Sequence, residues 1–117
     1  MTSILTSIKK MLGITEDYTQ FDADIIMHIN SVFMILNQLG IGPNNVFSIQ
    51  DKTAVWNDFI VENQYTDAVK SYIYLRVRML FDPPTGSLSD VFAKQIQELE
   101  WRMNVYVEYL QSKETEE

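Results

Sequence analysis

Cysteine is absent from the 117 residues. That excludes a disulfide scaffold and a thiol nucleophile, and it removes the usual ligands of a structural zinc site. Histidine occurs once, as His28. Long apolar runs are missing too: the longest, Val32-Phe33-Met34-Ile35-Leu36, is far too short to cross a bilayer. Positive charge is scarce. Nine Lys and Arg stand against sixteen Asp and Glu, for a net charge of −7, and the arginines are only Arg76, Arg78 and Arg102. Tight nucleic-acid binding needs clustered cations that neutralise phosphates, so this balance argues against it; an acidic wall past which nucleic acid slides stays open. At the N-terminus Lys9 and Lys10 follow the apolar residues instead of preceding them. A signal peptide has the opposite order, so intracellular synthesis is expected.

What the chain does have is helical periodicity. From Phe92, steps of four and three reach Ile96, Leu99, Met103, Tyr106 and Leu110, all apolar. A helix from Ser87 to about Ser112 with one core face explains the pattern. A strand does not, because steps of two give Lys94, Ile96 and Glu98. Asp90, Lys94, Glu98 and Arg102 form a row of alternating sign opposite the core face, each acid preceding its base in the favourable order. Further along, Trp101, Val105 and Tyr109 occupy the side where charge should continue. A helix apolar on two sides must be covered on both: either by neighbours in its own bundle or by another subunit.

Four earlier segments complete the reading. Residues 2–12 put Ile4, Leu5, Ile8 and Leu12 on one face before Gly13, a short amphipathic helix expected to dock on the domain and not on a membrane. After an acidic linker, Asp22 or Asp24 opens a long helix carrying Ile25, Ile26, Ile29, Val32, Phe33, Leu36 and Leu39, stopped by Gly40. Met27 and Met34 lie off that face as a minor second stripe. The loop from Gly40 to Lys52 is long for a helical domain. Its Val46, Phe47 and Ile49 imply that it packs back on the domain or makes a contact. Asp51 is placed to cap a short helix with Ala54, Val55, Phe59 and Ile60 inward and Trp56 on its flank, broken near 62–64. Thr66 or Asp67 starts the next helix, with Val69, Tyr72, Ile73, Val77 and Leu80 on one face, widened by Leu75 and Met79. Asp82-Pro83-Pro84 ends it, and Ser87 with Asp90 has capping-box spacing at the final helix. The expected fold is all-α: one domain, a bundle of about five helices with a long C-terminal helix.

No catalytic constellation is visible. Asp24 and His28 stand one turn apart, but two ligands do not make a metal site, and a surface ion pair is the expected outcome. Asp22-Ala23-Asp24 already serves a helix start. Gly40-Ile41-Gly42-Pro43 lacks the lysine and the following helix of a phosphate loop, and no Gly-x-Ser-x-Gly turn occurs. Gly86-Ser87-Leu88 lacks the aspartate of a carrier-protein attachment motif. No cofactor is expected, and neither is catalysis.

Two stretches carry a resemblance. Ser71-Tyr72-Ile73-Tyr74-Leu75-Arg76-Val77-Arg78-Met79-Leu80-Phe81-Asp82-Pro83-Pro84, and then Gln95-Ile96-Gln97-Glu98-Leu99-Glu100-Trp101-Arg102-Met103-Asn104-Val105, resemble the head–tail connector (head-completion, adaptor, DNA-packaging) family of tailed bacteriophages. The resemblance is close over the C-terminal half and general before it. It implies a small helical, non-enzymatic adaptor made in the host bacterial cytoplasm and housed in the neck of the virion. There it would form a ring with copies of itself, typically twelve, docked under the portal protein. The ring would extend the DNA channel without binding DNA specifically and offer a platform for the next neck or tail-completion protein. A single connector domain would span residues 1–113, with 114–117 an acidic, disordered tail. The shared stretches fall on Arg76, Arg78, Asp82, Pro83 and Pro84, then Glu98, Glu100, Trp101 and Arg102. The candidate contact residues are therefore Trp101, Arg102, Val105, Tyr109, Arg76 and Arg78, with Val46, Phe47 and Ile49 added from the loop. The alternative function is a small acidic helical protein that binds a host or phage regulator as a monomer or dimer.

Overall fold

The computed structural model describes residues 3–61 and 65–115, with side chains as far as 113. Five helices follow in order: α1 (Ile4–Met11), α2 (Asp22–Leu39), α3 (Trp56–Phe59), α4 (Thr66–Phe81) and α5 (Ser87–Thr115). The protein is all-α, and among the described residues the extended backbone makes only one isolated bridge, Ser3 with Val55. The break expected at 62–64 lies outside the described residues.

The core is built by α2, α4 and α5, with α1 closing one end. Ile25, Ile29, Val32, Phe33 and Leu36 of α2 are buried against Val69, Tyr72, Ile73 and Val77 of α4. Phe92, Ile96 and Met103 of α5 complete it, with Leu99 and Tyr106 half-buried alongside. Gly40 ends α2 in the left-handed region at φ +88°, the conformation that glycine adopts without penalty. Helix α1 docks on the domain as its pattern implies, Ile4 and Ile8 being fully buried. Ser3 caps it by accepting from the Thr6 N–H at 3.2 Å.

Lys9 is the unexpected member of the interior, only 2% exposed. Its ammonium donates to the carbonyls of Tyr18 at 2.7 Å and Glu16 at 3.1 Å and lies 2.8 Å from Asp22 Oδ1. One buried cation thus ties α1, the linker and the start of α2 together.

The 40–52 loop is packed back. Asn30 donates to the Ile49 carbonyl at 2.9 Å and accepts from its N–H at 2.8 Å, a two-point clamp that substitutes for strand pairing. Asn37 donates to the carbonyls of Pro43 and Asn44. Helix α3 is one turn, shorter than its sequence pattern suggests. Asp51 is engaged by the Thr53 turn, and Asp58 reaches back to the Val55 N–H at 2.9 Å. Trp56 is buried, not flanking, and donates its indole N–H to Ser7 Oγ at 3.1 Å.

Two apolar residues in core phase are nevertheless exposed. Leu80 lies on the last turn of α4, where α2, α4 and α5 leave a groove between them. Leu110 lies on the rim of a shallow pocket that it shares with Ile41, Ile60 and Tyr65. The helix backbone continues to Thr115, so residues 114 and 115 of the expected acidic tail extend α5.

Candidate interface surface

Helix α5 decides what surface the molecule offers. Its buried stripe faces α4. Trp101, Val105 and Tyr109 are turned about 140° away from that stripe. They are 63%, 45% and 58% exposed, so no described helix of the same chain covers them. Successive residues at i, i+4 and i+8 form one ridge, roughly 12 Å long at 1.5 Å per residue. Large apolar side chains contiguous on a surface are the mark of a contact site. Arg102 flanks the ridge and donates to Glu98 Oε1 at 2.9 Å, an exposed pair of small energetic worth.

The other candidates go elsewhere. Arg76 turns inward: its Nε donates to the Tyr72 hydroxyl at 2.8 Å and its Nη2 to Glu100, while Tyr72 donates to Glu100 Oε2 at 2.6 Å. Arg78 donates to the Tyr74 hydroxyl at 3.2 Å and to the Asp82 carbonyl at 3.0 Å, with its guanidinium over the Phe92 ring. It thereby braces the turn between α4 and α5. Ile49 is 2% exposed, and the Phe47 ring meets Phe33 edge-on and Phe59 at a tilt. Both serve the core, so the loop's outward contribution narrows to Val46, which is exposed. His28 sits edge-on to the Phe81 ring instead of pairing with Asp24.

The triad of Tyr72, Arg76 and Glu100 was not legible from the sequence, although Tyr72 and Arg76 one turn apart on α4 were its available signal. Burial pushes the Tyr72 phenol up to about 12, with Glu100 adding to the effect. Burial by itself would raise Glu100, but hydrogen bonds from Tyr72 and Arg76 outweigh it and hold the carboxyl below its ordinary value. Folding therefore favours the ionised carboxylate. That stability is present in full above the ordinary value of 4.5 and is lost as pH falls through the lower folded value. Glu100→Gln is expected to cost about 1–2 kcal/mol at neutral pH. In urea titrations the gap between variant and parent should close as the pH is taken below 4.5; a gap that stays constant would show that the charge is not what stabilises.

A second, mixed surface was legible only in part, through Met27 and Met34 as a minor stripe that could be core or contact; both are exposed. Between α2, α4 and α5 lies an open groove of about 640 Å³, lined by Met27, Ile35, Met79, Leu80 and Ile96 and also by the polar His28, Ser31, Arg76, Gln97 and Glu100. Met27 and Leu80 are more than half exposed. Of these only Met27 had been singled out as lying off a core face.

Among the described residues no three His, Asp or Glu side chains cluster so as to hold a metal ion. The family model described as "Phage connector protein" matches residues 4–110, and the chain belongs to that family of phage head–tail connectors. Membership makes it a structural component of the virion that associates with other head and tail proteins. No curated protein matches the chain, and neither does any solved structure. No helix among the described residues is long and apolar enough to cross a membrane.

Proposed function

We propose that the protein is a non-enzymatic ring subunit of the phage neck. Made in the host cytoplasm, it docks beneath the portal protein, extends the DNA channel and presents a platform to the next neck or tail-completion protein. The observation that supports this beyond family membership is the uncovered ridge of Trp101, Val105 and Tyr109: a virion component with that surface has a neighbour to bury it against. Copies of the same chain, twelve in the form typical of the family, are the neighbours this reading supplies. Electron micrographs of neck complexes assembled with and without the protein test it. A ring of density below the portal, lost when the protein is omitted, is expected; necks identical in both preparations would overturn the reading.

The channel role carries its own expectation. With a net charge of −7, the purified protein should show no specific affinity for duplex DNA at physiological salt, because too few cations are available to release counterions. A tight complex that weakens steeply with added salt, read by fluorescence anisotropy, would contradict it.

A further inference from the structure

We infer that the carbonyls of Glu16 and Tyr18 and the carboxylate of Asp22 form a standing site for a primary ammonium group, which Lys9 fills as a ligand supplied by the chain itself. Donors and acceptors match in number. An ammonium has three N–H donors and no acceptor, and the three oxygens meet it at 3.1, 2.7 and 2.8 Å. Asp22 Oδ1 is buried with no other partner among the described residues, although the side chain as a whole is 26% exposed. That oxygen is committed to whatever cation lies there.

The oxygens do not depend on the lysine side chain for their places. The linker that carries them is a succession of turns with its own backbone bonds. The Ile14 N–H donates to the Lys9 carbonyl at 2.9 Å, Tyr18 to Thr15 at 3.1 Å and Asp22 to Thr19 at 3.2 Å. Its rings are anchored as well, Tyr18 against Phe21 and Phe21 edge-on to Phe81 at the end of α4. None of these contacts uses the Lys9 ammonium, so the cage outlasts its removal. A cleft of about 300 Å³ opens beside it, lined by Lys9, Leu5, Thr6, Thr19 and Ile26 among others. The cleft gives a small amine a way in, with Leu5 and Ile26 as apolar walls for its alkyl part, the usual division of labour in a ligand site. The ligand class is therefore a primary alkylammonium, admitted once the internal ligand is gone.

Full-length Lys9→Ala removes Cγ, Cδ, Cε and Nζ, which together are the heavy atoms of propylammonium. A ligand so small binds weakly, with a Kd of about 20 mM. Propylammonium chloride at about 200 mM should then raise the folded-to-unfolded ratio of the variant about tenfold over sodium chloride of equal ionic strength, read by urea denaturation. The parent, whose site is filled, should not respond. Neither n-propanol, which lacks the charge, nor tetramethylammonium, which lacks the N–H donors, should act on the variant. A variant unfolded on its own should be folded by propylammonium. Equal effects on parent and variant, equal effects of the alcohol or the quaternary ion, or no effect at all would overturn the inference. A second variant separates the cage from stability in general. Lys9→Met keeps the alkyl bulk, and its Ile14, Tyr18 and Asp22 amides should stay within about threefold of the parent in hydrogen exchange. A larger loss of protection would show that the lysine itself builds the cage, against the inference.

Discussion

Lys9→Ala is expected to destabilise the protein by about 3 kcal/mol, a fall in melting temperature of roughly 10–15 °C. The lysine is 2% exposed and holds three oxygens, the carbonyls of Glu16 and Tyr18 and the carboxylate of Asp22. Asp22 Oδ1 is itself buried and has no partner besides the ammonium among the described residues. Truncation would leave that carboxylate without its cation; because the Asp22 side chain is 26% exposed, the cost falls at the lower end of what breaking a buried pair costs. Removing both charges should be gentler. Lys9→Met combined with Asp22→Asn is expected to recover part of what Lys9→Met alone loses, since a buried pair exchanged for neutral groups is often close to neutral in stability. Urea denaturation of the parent, the two single variants and the double variant measures the cycle. A cost below about 0.5 kcal/mol for Lys9→Ala, the range of an ordinary surface change, would show that the lysine is not needed where it lies.

Lys9 also marks the limit of what periodicity conveys. It follows Ile8 directly on α1, at the border of the apolar face that Ile4, Leu5 and Ile8 define. A lysine there reads as solvent-facing, because charge is almost never fully buried unless paired. The partners that make burial possible are chiefly backbone carbonyls, which carry no side-chain signature. The same reason hid the clamp of Asn30 on Ile49, since an asparagine on a helix gives no hint of which distant peptide it will satisfy. Helix positions, by contrast, were largely legible. The apolar spacing, the Asp82-Pro83-Pro84 stop and the glycine after α2 are local signals, and local signals survive the absence of tertiary knowledge. Phase alone could not tell that Leu80 and Leu110 are left partly uncovered, because exposure depends on where the neighbouring helices run. The second apolar side of α5 was readable as a pattern, but whether its own bundle or another subunit covers it was not, because that too depends on where the neighbouring helices run. The structure leaves Trp101, Val105 and Tyr109 exposed in the single chain.

Trp101→Ala combined with Tyr109→Ala is expected to leave the fold intact and to remove assembly. Both residues are more than half exposed, and surface changes away from buried networks usually stay within about 0.5 kcal/mol each. Alanine also favours the helix, so α5 should persist. Assembly should respond on another scale. Trp and Tyr at the centre of a contact each carry about 2 kcal/mol or more, so the pair is worth about 4 kcal/mol, or roughly a thousandfold in Kd. Circular dichroism and urea melts read the first effect; sedimentation and incorporation into necks seen by electron microscopy read the second. A double variant that unfolds would place these side chains in the domain's own stability, against their exposure. One that folds and still builds necks would show that the ridge meets no neighbour. The two readouts separate because a residue exposed in the single chain contributes to stability only through its own helix, whereas its contribution to association begins when another surface excludes water from it.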